Sequence, residues 1–195
     1  MNKRFFILGL FVSLSLFIFA QNNWYEVKSG VIHSKVNAGG IILDQKEYFE
    51  DWGRRIAIES VMGVNEHALK TRTIYGDKMM TMIKMETQEA LQYPRVRPRI
   101  NWLELDSLTE KAFNVRYLGR VDLKGYKCDL YKFTIDDNGR KEEVTHWVYK
   151  GVPIQYHTVN NGVVMEQEFL SFEENPSIDA ALFQLPPNVE IKEWK

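Results

Sequence analysis

The chain has 195 residues, with 25 lysines and arginines against 26 aspartates and glutamates, and a single cysteine. A formal net charge of −1 provides no electrostatic footprint for nucleic acid as a main partner. One cysteine cannot close an internal disulfide, so the fold must rest on its apolar core.

The first twenty residues read as a targeting segment. Lys3 and Arg4 precede the uncharged, mostly apolar run Phe5–Ala20, and Gln21-Asn22-Asn23 follows. Charge, apolar core, small residue and polar start are the order of a secretory signal peptide. The run is short for a membrane span, which needs ~20 apolar residues. Residues 1–20 are therefore expected to be cleaved, leaving residues 21–195 as one exported domain. A lipid anchor would need a cysteine at the cleavage point, and the cysteine of this chain is Cys128.

From Trp24 onward the pattern is mostly strand. Tyr25 to Val36 alternates weakly and ends at the turn signal Asn37-Ala38-Gly39-Gly40. Ile41 to Trp52 follows, with Ile42, Asp44, Lys46 and Tyr48 in one register and Ile41, Leu43, Glu47 and Phe49 spread around it. Asp51-Trp52-Gly53 closes a hairpin, and Arg54 to Met62 returns. His67 to Tyr75 alternates again after Gly63-Val64-Asn65. Lys78 to Leu91 is ambiguous, because methionines occur at both strand and helix spacing. A strand over Met79–Met85 is predicted, with a loose or helical stretch after it. Pro94 and Pro98 then force Tyr93–Arg99 to be extended.

One amphipathic helix is predicted. Asn101 is the candidate N-cap, with Glu104 three residues later. Leu103, Leu105, Leu108, Ala112 and Phe113 carry helical spacing, and Asn114 ends it. A long meander from Leu118 to Phe172 turns at Asp136–Gly139, at Lys150-Gly151 and at the strong hairpin signal Asn160-Asn161-Gly162. A short helical turn and an extended end complete the chain. At least nine strands with one apolar face would curl. The fold class expected is mainly β (α+β): a curved antiparallel sheet or half-open barrel, with one or more helices over its concave face.

The sequence contains no nucleophile elbow, phosphate loop or Cys-x-x-Cys, so no enzyme and no cofactor are expected. Acidic pairs sit at turns, where solvated charge explains them. His146 and His157 flank the Lys150-Gly151 turn. They would lie opposite each other if Lys150 pairs with Pro153, or diagonally on one face if Tyr149 pairs with Val152. Without carboxylate or thiolate neighbours they make a poor metal site, and no metal is expected. Cys128 alternates with Lys127 and Asp129, which suits a buried small hydrophobe better than a reactive thiol.

Two features are less ordinary. Met62, Met79, Met80, Met82 and Met85 form a cluster suited either to core filling or to a surface that adapts to varied apolar shapes. A thioether copper(I) site is a third option that lacks neighbouring histidine or cysteine. Arg95, Arg97 and Arg99 alternate along an extended segment and would point the same way. They form either a solvated loop or a contact for an acidic headgroup or partner.

Residues 119–131 (Gly-Arg-Val-Asp-Leu-Lys-Gly-Tyr-Lys-Cys-Asp-Leu-Tyr), Trp147 with Lys150-Gly-Val-Pro-Ile, and Ile178-Asp-Ala-Ala-Leu-Phe-Gln-Leu-Pro186 resemble the second half of LolA-like proteins. These are periplasmic outer-membrane lipoprotein carriers and their relatives. Arg54-Arg55 and the turn Tyr75-Gly-Asp-Lys78 fit the first half more loosely. The resemblance implies an incomplete β-barrel, closed by helices around an apolar cavity that receives acyl chains. On that footing the chain is a monomeric periplasmic protein that holds a lipid or lipoprotein acyl chain without catalysis. The cleft wall expected from strand and helix faces is Met79, Met80, Met82, Met85, Trp102, Leu103, Leu108, Trp147 and Tyr149. Arg95, Arg97 and Arg99 would meet a headgroup or partner. The alternative is an interaction or sensor module for another envelope protein on the same fold, without a lipid.

Overall fold

A computed structural model describes residues 23–63, 68–95, 99–137, 139–160, 162–187 and 189–193. Twelve strands build one sheet: β1 (Gly30–Ala38), β2 (Ile41–Glu50), β3 (Arg55–Met62), β4 (Leu69–Tyr75), β5 (Met79–Lys84), β6 (Glu89–Pro94), β7 (Arg116–Leu123), β8 (Tyr126–Asp137), β9 (Arg140–Tyr149), β10 (Val152–Asn160), β11 (Val163–Glu174) and β12 (Glu190–Glu193). Their spatial order is β12-β6-β5-β4-β3-β2-β1-β11-β10-β9-β8-β7. The chain thus meanders outward from the middle, passes to the far edge, and meanders back until β11 pairs antiparallel with β1. The β12 strand returns to cover the β6 edge in parallel.

A twisted sheet of this size cannot stay flat. Two intervening strands separate β8 from β11, yet the Tyr126 ring on β8 lies 5.1 Å from Phe169 and 6.3 Å from Phe172 on β11. The curl is eased where β10 and β11 pair only over His157–Asn160 and Val163–Glu166. One buried cluster, including Ile32, Phe49, Ile154, Phe169 and Phe172, fills the middle. A second gathers Trp102, Phe133, Val144 and Val148. On the opposite face of β3 the tail crosses behind the sheet, where Phe183 of a 3-10 turn (Ala180–Phe183) stacks 5.0 Å from the Arg55 guanidinium.

The predicted hairpins join β1 to β2, β2 to β3, β8 to β9, β9 to β10 and β10 to β11, and most of the predicted turn at 63–65 lies outside the described residues. The stretch after Met85 is a strand, β6, reached through a turn in which Gln88 adopts φ +55°. The loose or helical reading fails there because β5 offers a free edge to pair with. Tyr25–Ser29 is not strand. It runs across strand ends, with Tyr25 N–H donating to Trp52 O and Glu26 N–H donating to Lys150 O.

The helix is shorter than expected. The helix α1 spans Ser107–Phe113, capped by Asp106, whose Oδ1 accepts from Thr109 N at 2.7 Å. Asn114 ends it in the left-handed region, as its type suggests. Asn101 is not the N-cap. Its Oδ1 accepts from Leu103 N in a local turn, and its Nδ2 donates to Asn23 O. That turn frees Trp102 to enter the core, which a helix begun at Asn101 would not.

Candidate ligand cavity

Register places the site. Ile32, Glu47, Ile58, Thr73, Met82 and Leu91 are successive cross-strand partners, and so are Gly30, Phe49, Ile56, Tyr75, Met80 and Tyr93. The two rows share a face, because residues two apart on a strand do. On that face a cavity of about 210 Å³ lies between Ile56 and Ile58 on one side and Phe133 and Val144 on the other. Trp102 closes it. Its ring stacks on Tyr131 at 4.6 Å and 27°, and lies 5.5 Å from both Phe133 and His146.

A recess of about 480 Å³ shares Ile56, Tyr75, Arg95 and Arg99 with this cavity. The cavity alone falls short of the ~300–1,000 Å³ usual for ligand sites, whereas the adjoining recess lies inside that range. The cavity wall is mostly apolar but includes Glu47 and His146, and Arg95 and Arg99 stand where it joins the recess.

Glu47 is the carboxylate in the cavity wall. Burial pushes its carboxyl up to about 7, against the opposing pull of the Arg99 charge. The same enclosure raises the Tyr25 phenol to about 12, and Glu47 adds to the rise. Tyr75 is raised for the same two reasons. Arg95 is lowered by burial first and by the Arg99 charge second. The Arg99 guanidinium lies 4.1 Å from the Trp24 ring and 5.1 Å from the Tyr25 ring. Room for it depends on Gly53. A Cβ there would stand 2.5 Å from the Tyr25 ring and 2.7 Å from Arg99 Nη2, and the φ of +83° already favours glycine.

The structure brings together part of the set expected from sequence. Trp102, Arg95 and Arg99 line the cavity, and Arg97 lies outside the described residues. Met80 and Met82 share the cavity face by register but stand further along it. Met82 borders a separate recess with Leu91 and Lys192. Met79 alternates to the other face, and Met85 sits in the β5–β6 turn. Leu103 packs against Gly151, and Leu108 is 79% exposed on a helix that buries none of its residues. Trp147 and Tyr149 pack on the central cluster, where the Tyr149 hydroxyl donates to Glu174. His146 also lines the cavity.

The two histidines follow neither expected register to its end. Tyr149 does pair with Val152, but a bulge between Pro153 and Gln155 then sets His146 against Tyr156 and His157 against Thr145. The histidines consequently face opposite sides. Cys128 is fully buried, and burial pushes its thiol up to about 11.

No family model and no curated protein matches this sequence. Solved structures do match its shape. An uncharacterised conserved protein from Thermus thermophilus is 13% identical, with 87% of this chain and 92% of that one covered and a TM-score of 0.54. An outer membrane lipoprotein-sorting protein domain from Vibrio parahaemolyticus is 7% identical over 83% and 90% of the two chains, with a TM-score of 0.41. The lipoprotein LppX of Mycobacterium tuberculosis is 11% identical over 79% and 91%, also at 0.41. At these identities the likeness is one of fold. The architecture is mainly β, a single curved and mostly antiparallel sheet with one short α-helix among the described residues.

Proposed function

We propose that residues 21–195 form an exported, non-catalytic binding domain that holds an acyl chain of a lipid or lipoprotein in the cavity under Trp102. The supporting observation is the cavity itself, walled by Ile56, Ile58, Phe133 and Val144 and left unfilled by side chains. Burying roughly ten methylenes at ~0.8 kcal/mol each yields ~8 kcal/mol of gross driving force. After the costs of association that supports a reversible carrier rather than a permanent store. Export through a cleaved segment 1–20 belongs to the same reading, and N-terminal sequencing should find Gln21 first. Native mass spectrometry of the exported protein, prepared without detergent, tests the cavity. An excess of several hundred daltons, lost on denaturation and extractable as lipid, is expected. A bare mass that persists after exposure to host lipids refutes it.

A second reading, a module for another envelope protein, has one observation in its favour. Ile41, Ile42, Val163 and Val164 are 47–61% exposed at the neighbouring tips of the β1–β2 and β10–β11 hairpins. It predicts that Ile42→Glu with Val163→Glu releases such a partner and leaves lipid binding unchanged.

A further inference from the structure

The cavity and its outer recess meet at Ile56, Tyr75, Arg95 and Arg99, so two guanidinium groups stand at the neck between apolar interior and opening. Other described arginines are paired with acids. Arg72 donates twice to Glu59, and Arg120 donates to Asp129. Arg95 and Arg99 form no ion pair among the described residues, and aromatic rings hold them instead. Arg99 lies over Trp24 and Tyr25, and Arg95 lies 5.5 Å from the Tyr75 ring.

Stacking occupies the face of a guanidinium and leaves its N–H edge free to donate. Arg99 Nη2 is buried without a hydrogen-bond partner, although the guanidinium as a whole also acts on the Tyr25 hydroxyl and opposes the burial that raises its pKa. A buried charged donor left unmade is costly, and two like charges at one neck add to the cost. Nearby acids offset this only in part: burial holds Glu47 toward its neutral form, and Asp77 on the outer recess attracts Arg95 without forming an ion pair with it.

We propose that Arg95 and Arg99 receive the anionic head, a carboxylate or a phosphate monoester, of a single-chain amphiphile whose tail enters between Ile56, Ile58, Phe133 and Val144. The assignment rests on the apolar-tail reading above and adds the chemistry of the ligand's other end. A neutral lipid buries the same tail, and its hydroxyl or carbonyl oxygen can accept from Arg99, but it leaves the like charges of the two arginines uncompensated. An anion satisfies that donor and relieves the repulsion between the two arginines.

The test uses the delipidated mature chain and four probes below their micellar concentrations: palmitate, hexadecyl phosphate, hexadecanol and inorganic phosphate. Binding is read by calorimetry or by tryptophan fluorescence, since Trp24 and Trp102 border the site. At least one of palmitate and hexadecyl phosphate should bind about tenfold or more tightly than hexadecanol, and the tighter of the two identifies the head. Arg99→Gln and Arg95→Gln should each shrink that preference, and Arg99→Lys should retain part of it. Hexadecanol affinity should stay within about twofold in all three, which also shows that the variants fold.

Equal affinity for hexadecanol and both anions overturns the headgroup assignment and leaves the apolar-tail reading standing. So does a loss of all three ligands together in the glutamine variants, which would make the arginines structural braces. Inorganic phosphate binding as tightly as hexadecyl phosphate overturns the amphiphile in favour of a free anion. Failure of every long-chain probe in the unaltered protein sinks both proposals.

Discussion

Glu47→Gln is expected to stabilise the protein above neutral pH and to leave it unchanged near pH 4.5. The native carboxyl titrates at about 7, against 4.5 for the ordinary group, and burial is the larger cause. Between those values the folded chain keeps a proton that the unfolded chain has released. Stability contributed by this residue is therefore complete below pH 4.5, declines as pH rises through 7, and is flat beyond. The shift corresponds to at most about 3.5 kcal/mol, at ~1.4 kcal/mol per pH unit. Contact with the cavity reduces that, so about 1–3 kcal/mol is the expected gain of the variant at pH 8. Ile32 and Ile58 flank Glu47 across the sheet, and Arg99, Arg95, Tyr25, Tyr75 and His146 share its cavity. Burial first and Glu47 second raise Tyr25 and Tyr75, but both phenols stay protonated at pH 4.5 and at pH 8, so the difference between the two proteins reports Glu47. Urea unfolding at pH 4.5 and pH 8 measures it. A gain of equal size at both pH values, or a variant less stable at pH 8, would refute the reasoning. The second outcome would mean that the attraction between Glu47 and Arg99 outweighs the burial cost.

Phe49→Ala should cost about 3–5 kcal/mol in the same assay, because Phe49 is fully buried and meets Tyr25 edge-on at 4.7 Å; a loss under about 1 kcal/mol would place the core elsewhere. Asp106→Ala removes the cap of α1 yet should cost only about 1 kcal/mol or less, since no residue of that helix is buried; global unfolding would contradict this. Cys128 should resist a thiol reagent in the native state and react fully in denaturant, as its burial and raised pKa imply. Rapid stoichiometric labelling of the folded protein at pH 8 would show that the β7–β8 edge opens.

Local chemistry in the sequence was enough to place most strands and turns. Asn160-Asn161-Gly162, Lys150-Gly151 and Asp51-Trp52-Gly53 set hairpins because few residues accept positive φ, and each turn imposes that geometry whatever the tertiary context. Burial of Cys128 followed from its place among alternating charged neighbours. Segments without such a signal were misread. Glu86–Leu91 has no decisive period, and a free β5 edge made its C-terminal part a strand. Asn101 carries the side chain of a cap, but bonded to Leu103 and Asn23 it holds Trp102 inward instead.

The site was legible in fragments. Trp102, Arg95 and Arg99 could be singled out by type and spacing, whereas Glu47 was not singled out, because an acid within a strand pattern reads as a solvated position. Their convergence could not be read, because it depends on curvature. Curling brings β3 toward β8 and β9 across a distance that no local pattern encodes, and the bulge at Pro153–Gln155 changes which histidine faces the cavity. The methionine stripe shows the same limit. Register puts Met80 and Met82 on the cavity face, while the position of β5 near the sheet edge sets them further along it. Sequence alone determined most of the strands and turns and the alternation of faces within them, since these depend on neighbours along the chain. Which faces enclose a space, and which charges are left at its neck, was decided by tertiary structure, since that depends on how far a twelve-stranded sheet closes on itself.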